Sequence, residues 1–289
     1  MHLGRKKPQW NNNNNNNNNN SEKVLVTHRW RTLENSASYV LPYLNKPNMK
    51  VLDVGCGPGS ITIDIAKHVL PNGGYVLGTD YVQDPLKDAE KLLAATPELH
   101  RFPPGSIEFQ VADVFALPFA DDSFDLVHVH QVLEHIGDPV AGLREMRRVV
   151  KPNGGIVACR EWASTSFYPD DNQGLKDWLE LFFRAIAAKG GHPGSGRIMH
   201  VWAEEAGFEL TKVKRSAGTW CFSTPEEREY FGGSMAARMR DSGGFARFVI
   251  DEGLSTPESL EAIASGWDKY VEDDHGWLGF LHGEMLCWK

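Results

Sequence analysis

No stretch of this sequence approaches the ~18 to 20 apolar residues that a membrane-spanning helix needs. The opening MHLGRKKPQW has basic residues without the apolar segment that a secretory signal places behind them. Neither a membrane partner nor a signal peptide is therefore expected. Cysteine is sparse as well. Cys56, Cys159, Cys221 and Cys287 form no C-x-x-C pair and have no close histidine partners, so neither a zinc site nor a disulfide framework is suggested. Reduced thiols in the cytoplasm, with no metal, fit that pattern. Basic charge is also in deficit. With 30 Lys and Arg against 38 Asp and Glu, the formal net charge of −8 speaks against nucleic acid as the partner, because a phosphate backbone rewards positive charge. What is present, 41% hydrophobic and 24% charged residues, is ordinary for a folded globular chain. A length of 289 residues suits one α/β domain with an added helical part.

Residues 1–22 contain the polyasparagine run Asn11 to Asn20, which has no apolar surface to offset the entropy of ordering it, and they are set aside as a disordered tail. The folded part is expected over 23–289. His28 to Leu44 places Leu33, Ala37, Val40, Leu41 and Leu44 at helical spacing and predicts an amphipathic leader helix, with Pro42 able to kink or end it. MKVLDVGC then reads as a strand, ITIDIAKHVL as a helix and YVLGTDYV as a second strand. The alternation continues through PLKDAEKLLAAT (helix), SIEFQVAD and FDLVHVHQVL (strands), VAGLREMRRVV (helix) and GIVACREW (strand). Near-continuous apolar strands separated by helices predict a parallel sheet covered on both faces. Beyond Trp162 the pattern changes. STSFYPDDNQG reads as a loop, GLKDWLELFFRAIAAKG as a helix and GGHPGSG as a flexible link, while residues 225–274 look helical. Lid insertions are expected at about 165–196 and 224–274, with FELTKVKRSAGTW and the closing GWLGFLHGEMLCWK returning as strands.

The turn after the first strand carries Asp53, Gly55, Gly57 and Gly59. Its glycines let the backbone turn sharply and approach a ligand, and the helix that follows offers free N–H groups at its N-terminus. A dinucleotide fingerprint, G-x-G-x-x-G, would need glycine at position 60, where Ser60 stands. At the end of the second strand, Asp80 can accept hydrogen bonds from two ribose hydroxyls, with Tyr81 next to it.

These motifs, together with Asp113 after the third strand, LREMRRVVKPNGG and the leader RTLENSASYVLPYL, resemble the class I S-adenosylmethionine-dependent methyltransferases of the UbiE-like (type 11) small-molecule group. The resemblance implies a Rossmann-like α/β fold: a seven-stranded, mostly parallel sheet with helices on both faces and a helical lid. It implies S-adenosylmethionine as cofactor, a small-molecule acceptor and methyl transfer to O, N, S or C; a homodimer is left open. It also places Asp113 and Val114 at the adenine, although Asp113 also suits a turn or helix cap. His130 and Gln131, at the end of the fourth strand in FDLVHVHQVLEHIGDP, fall beside the methionine part of the cofactor. His130 and His135 are candidate bases, and a structural role is open for each. Trp30, Phe167, Tyr168, Phe183 and Trp220 are candidates to surround the acceptor, or to be core. The 225–274 insert departs from quinone C-methylating members, and the cysteines do not cluster as in an arsenic methyltransferase. A nicotinamide-dependent oxidoreductase, disfavoured by Ser60 and Asp113, and a non-catalytic S-adenosylmethionine-binding protein are the alternatives.

Overall fold

Branched apolar runs build seven strands, β1 Lys50–Val54, β2 Tyr75–Asp80, β3 Ile107–Val111, β4 Leu126–His130, β5 Ile156–Tyr168, β6 Val213–Phe222 and β7 Trp277–Trp288. The computed structural model describes residues 30–289, so the polyasparagine run and the first two residues of the expected leader helix lie outside the described part. The strands form one sheet in the order β3-β2-β1-β4-β5-β7-β6. The first five are mutually parallel, and β7 runs antiparallel between β5 and β6. This is the expected seven-stranded, mostly parallel α/β sheet, and every residue of β4 is buried.

The helices are α1 Leu33–Ser36, α2 Ser60–Val69, α3 Gln83–Ala94, α4 Pro139–Val149, α5 Gln173–Ala188, α6 Met199–Glu205, α7 Pro225–Arg228, α8 Ser234–Arg240, α9 Gly244–Asp251 and α10 Pro257–Glu272. Local chemistry starts several of them. Asp138 accepts from Ala141 N at 2.9 Å with Pro139 in the first helical position of α4, and Thr256 does the same for Ser259 N, at 3.2 Å, ahead of Pro257. On one face of the sheet, Leu143 and Met146 of α4 and Ala203 of α6 pack on Val127, Val129 and Val157. On the other, Ile63 and Ala66 of α2 join Leu33, Ala37 and Val40 of the leader against Val51, Leu126 and Ala158. A third core binds α5 and the helices of 225–272 to the outer part of β5, β6 and β7 through Trp162, Trp178, Trp220, Trp267 and Phe280.

Two expectations need correction. The leader is not one helix. Thr32 caps the single turn α1 by accepting from Asn35 N at 3.2 Å, Ala37 leaves helical geometry at φ −144°, and a 3-10 turn, Ser38–Tyr43, follows with Pro42 inside it. The supposed loop after Trp162 is also largely strand. β5 continues for 13 residues to Tyr168 because β7 pairs with it throughout, past one register shift between Trp162 and Ser164. The first helical insertion therefore begins at α5, after the strand.

Candidate active site

Parallel strands bring the ends of β1 to β4 to one edge of the sheet, the place where open α/β folds hold ligands. There the chain leaves β1 with Gly55, Gly57 and Gly59 at φ +69°, +54° and +77°. Side chains strain this backbone, and a Cβ on Gly55 would run into Val132 Cγ2. Gly57 N donates to Asp80 Oδ2 at 3.0 Å, and Val82 N to Asp80 Oδ1 at 3.1 Å, so the β2 carboxylate organises the turn. Burial raises its pKa from the ordinary aspartate value, against the lowering effect of the backbone hydrogen bonds it accepts. Asp53 is 3% exposed, and its two oxygens are taken by Thr62 Oγ1 at 2.5 Å and His128 Nδ1 at 2.7 Å. Its carboxylate braces β1, α2 and β4 from inside.

At the ends of β2 and β3, Tyr81 and Phe115 expose unusually large apolar surfaces, 59% and 40%, on either side of Asp113 in the chain. Asp113 Oδ1 accepts from Phe115 N at 2.9 Å, the turn role foreseen as its alternative, and Val114 is buried in the core beneath.

The exit of β4 is more heavily charged than the sequence suggests. Gln131 turns the chain at φ +52°. Glu161 of β5, fully buried, then accepts from the backbone N–H of Val132 and Leu133, at 2.9 Å each, and of Glu134, at 3.3 Å. Burial raises the affinity of both Glu161 and Glu134 for a proton, and their mutual repulsion adds to this for Glu134. Arg31 stands within electrostatic reach of both. Its guanidinium also lies 5.4 Å from the centre of the Trp220 ring, with that of Arg160 at 5.0 Å. Arg160 donates to Ser36 O at 3.0 Å, its Nη2 lies 3.2 Å from His282 Nδ1, and it pairs with Glu284 at 3.6 Å. His130 is 7% exposed, neither ring nitrogen has a hydrogen-bond partner among the described residues, and burial, reinforced by Arg31 and Arg160, holds its pKa well below the usual histidine value.

A family model described as a methyltransferase domain matches residues 45–213, the span from before β1 to the start of β6. The chain belongs to this methyltransferase family. It is 35% identical to an uncharacterized methyltransferase of Schizosaccharomyces pombe over 90% of this chain and 91% of that one. It is 31% identical to a probable methyltransferase, LtbC, of Aspergillus luteorubrus over 93% and 95%. A demethylmenaquinone methyltransferase of Lysinibacillus sphaericus is 32% identical over 66% of this chain and 77% of its own. S-adenosylmethionine is the methyl donor of this enzyme, and the oxidoreductase alternative falls.

Within the methyltransferase the candidate aromatic residues separate. Trp220 is buried 5.8 Å from the His130 ring, and Trp30 meets it edge-on at 5.4 Å, so both border the β4 exit. Phe183 packs on Trp162 at 4.9 Å within the helical core. Phe167 packs against the same helical core as Trp30 and Trp220, further along β5. Tyr168 is eight residues beyond Arg160 on an extended strand, about 26 Å away at 3.3 Å per residue, and is 51% exposed. Sequence reasoning missed Arg160, Glu161 and His282, which meet only through the pairing of β4, β5 and β7. An open cavity of about 780 Å³ beside Glu229, Arg240, Asp268 and Glu272 lies in the helical layer. None of these residues ends a parallel strand, and Arg240 closes on Glu261 and Asp268 there at 2.7 and 2.6 Å.

Proposed function

We propose that this methyltransferase binds S-adenosylmethionine across the ends of β1 to β4 and methylates a small-molecule acceptor held at the β4 exit, between the leader segment and the helical layer. The observation that carries this reading is the glycine turn tied to Asp80. Three left-handed glycines and a bonded carboxylate make a surface without side chains at the mouth of the sheet. In this reading Asp80 takes the ribose hydroxyls with its remaining lone pairs. Tyr81 and Phe115 flank the adenine and Asp113 meets its amino group, while Gln131 and His130 border the methionine part. When bound, the cofactor supplies an electrophilic methyl group, and the protein's work is alignment and exclusion of water. Trp30 and Trp220 wall the acceptor, and the helices of 173–188 and 225–272 cover it.

Among the described residues no helix is long and apolar enough to cross a membrane. We read the enzyme as cytoplasmic, which its unpaired thiols support. Calorimetry with S-adenosylhomocysteine tests the cofactor site. Methyl-labelled S-adenosylmethionine, supplied with a small-molecule cell extract as mixed acceptor, tests transfer. Binding without any transfer of label would favour a non-catalytic cofactor binder.

A further inference from the structure

We propose that Glu134 takes the proton that the acceptor gives up on methylation and passes it through His135 to solvent. This rests on the methyl-transfer reading above. Glu134 is 3% exposed and its buried Oε2 has no hydrogen-bond partner among the described residues, while its Oε1 lies 3.4 Å from Nε2 of His135, whose side chain is 44% exposed. The carboxyl thus touches the interior with one oxygen and a solvent-facing imidazole with the other. Its position is fixed by Glu161, whose oxygens hold three consecutive N–H groups of the same turn, and by His192 N, which donates to Glu134 O at 2.7 Å. Val132, two residues earlier, lies against Gly55 of the cofactor turn. The buried oxygen is therefore carried on a turn that follows β4 directly and touches the cofactor loop.

Charge decides between Glu134 and His130 as proton acceptor. Protonating His130 would place a third cation beside Arg31 and Arg160, which the buried site opposes. Protonating a buried carboxylate removes a charge, which burial favours. The groups facing Glu134 are Glu161 from β5, Arg31 from the leader and His135 on its own turn. Burial, with Arg31 and Lys189, lowers the pKa of His135 to about 4, so its imidazole hands a proton on to solvent without holding it. Three N–H donors favour the charged form of Glu161, while burial and the repulsion of Glu161 both favour the protonated form of Glu134. Beside a bound sulfonium the cost of charging Glu134 falls, and its proton leaves through His135. During transfer the bond from acceptor to methyl carbon forms as the carbon–sulfur bond breaks. The electron pair of that bond stays on sulfur as a neutral thioether, and the acceptor's proton moves to Glu134 Oε2. The acceptor class this serves is a neutral nucleophile that bears a hydrogen, such as a hydroxyl, enol or amine.

The test compares a cationic with a neutral ligand, so it needs no known acceptor. Binding of S-adenosylmethionine and of S-adenosylhomocysteine to the full chain is measured by calorimetry at pH 7 in two buffers of different protonation enthalpy. The expected result is proton release with S-adenosylmethionine and none with S-adenosylhomocysteine, the release vanishing in Glu134→Gln while homocysteine-ligand affinity is kept. With labelled methyl donor and the cell extract, Glu134→Gln should transfer label about 10²-fold more slowly or worse, the range of general-base catalysis. His135→Gln should also be slow and recover with added imidazole. Equal proton release with the two ligands, release retained in Glu134→Gln, or transfer by Glu134→Gln at the wild-type rate would overturn the proposal. Failure of the wild-type chain to bind either ligand would instead remove the cofactor site itself.

Discussion

Asp80 is bonded to the backbone on both oxygens, yet it stands at the end of β2 where a ribose would come to rest. Asp80→Ala should weaken binding of S-adenosylhomocysteine by about 1.5 to 3 kcal/mol, the scale of charged hydrogen bonds. Unchanged affinity in calorimetry would move the ribose elsewhere. The buried acids give a second expectation at this scale. Glu134 and Glu161 hold their protons more tightly in the folded chain than in the unfolded one, where a glutamate titrates near about 4.3. Between that value and their raised folded values the native state binds more protons, so their contribution to stability is full at low pH and is lost as pH rises. Wild-type stability should therefore fall more between pH 5 and pH 8 than that of Glu134→Gln, which has one fewer group to titrate. Urea midpoints at the two pH values would show this, and parallel changes in the two proteins would contradict it. The glycines and Asp80 were legible in the sequence because a turn is set by neighbouring residues. Asp53 was legible as important, but its partner His128 comes 75 positions later and reaches it only through the β1–β4 register.

Helices α5 and α10 approach so closely that a Cβ on Gly174 would lie 2.7 Å from Gly266 Cα, and one on Gly266 would lie 2.6 Å from Gly174 Cα. Asn172 seals the crossing, donating to Gly266 O at 2.9 Å and accepting from Leu175 N at 3.2 Å. Gly266→Ala should cost about 1 to 3 kcal/mol through overpacking, seen as a lower melting temperature with the sheet intact. A melting temperature equal to wild type would mean that the two helices separate freely. Element lengths were less legible than element types. STSFY alternates in exposure along β5, the mark of a strand with one open face, but its polar residues and the following Pro169 suggested a loop until β7 supplied the pairing. The leader broke for a local reason, since Thr32 caps a single turn that ends at Ala37.

At the scale of the whole molecule, the helices of 173–188 and 225–272 share one core with Trp30 and with the outer parts of β5, β6 and β7. If they close over the acceptor, limited proteolysis of the full chain should cut them more slowly once S-adenosylhomocysteine is bound. Equal cleavage with and without ligand would make them a fixed layer instead of a lid. The sheet itself carries a further consequence. β7 fills the slot between β5 and β6, although Ile156 of β5 and its partner Trp288 are separated by nearly half the chain. While the polypeptide emerges during synthesis, β5 must wait with one edge open and apolar until that distant segment arrives. Wet, unpaired backbone beside Trp162 and Phe167 is a template for association between nascent chains, so yield of this protein in cells should depend on temperature and chaperone supply more than its finished stability would suggest.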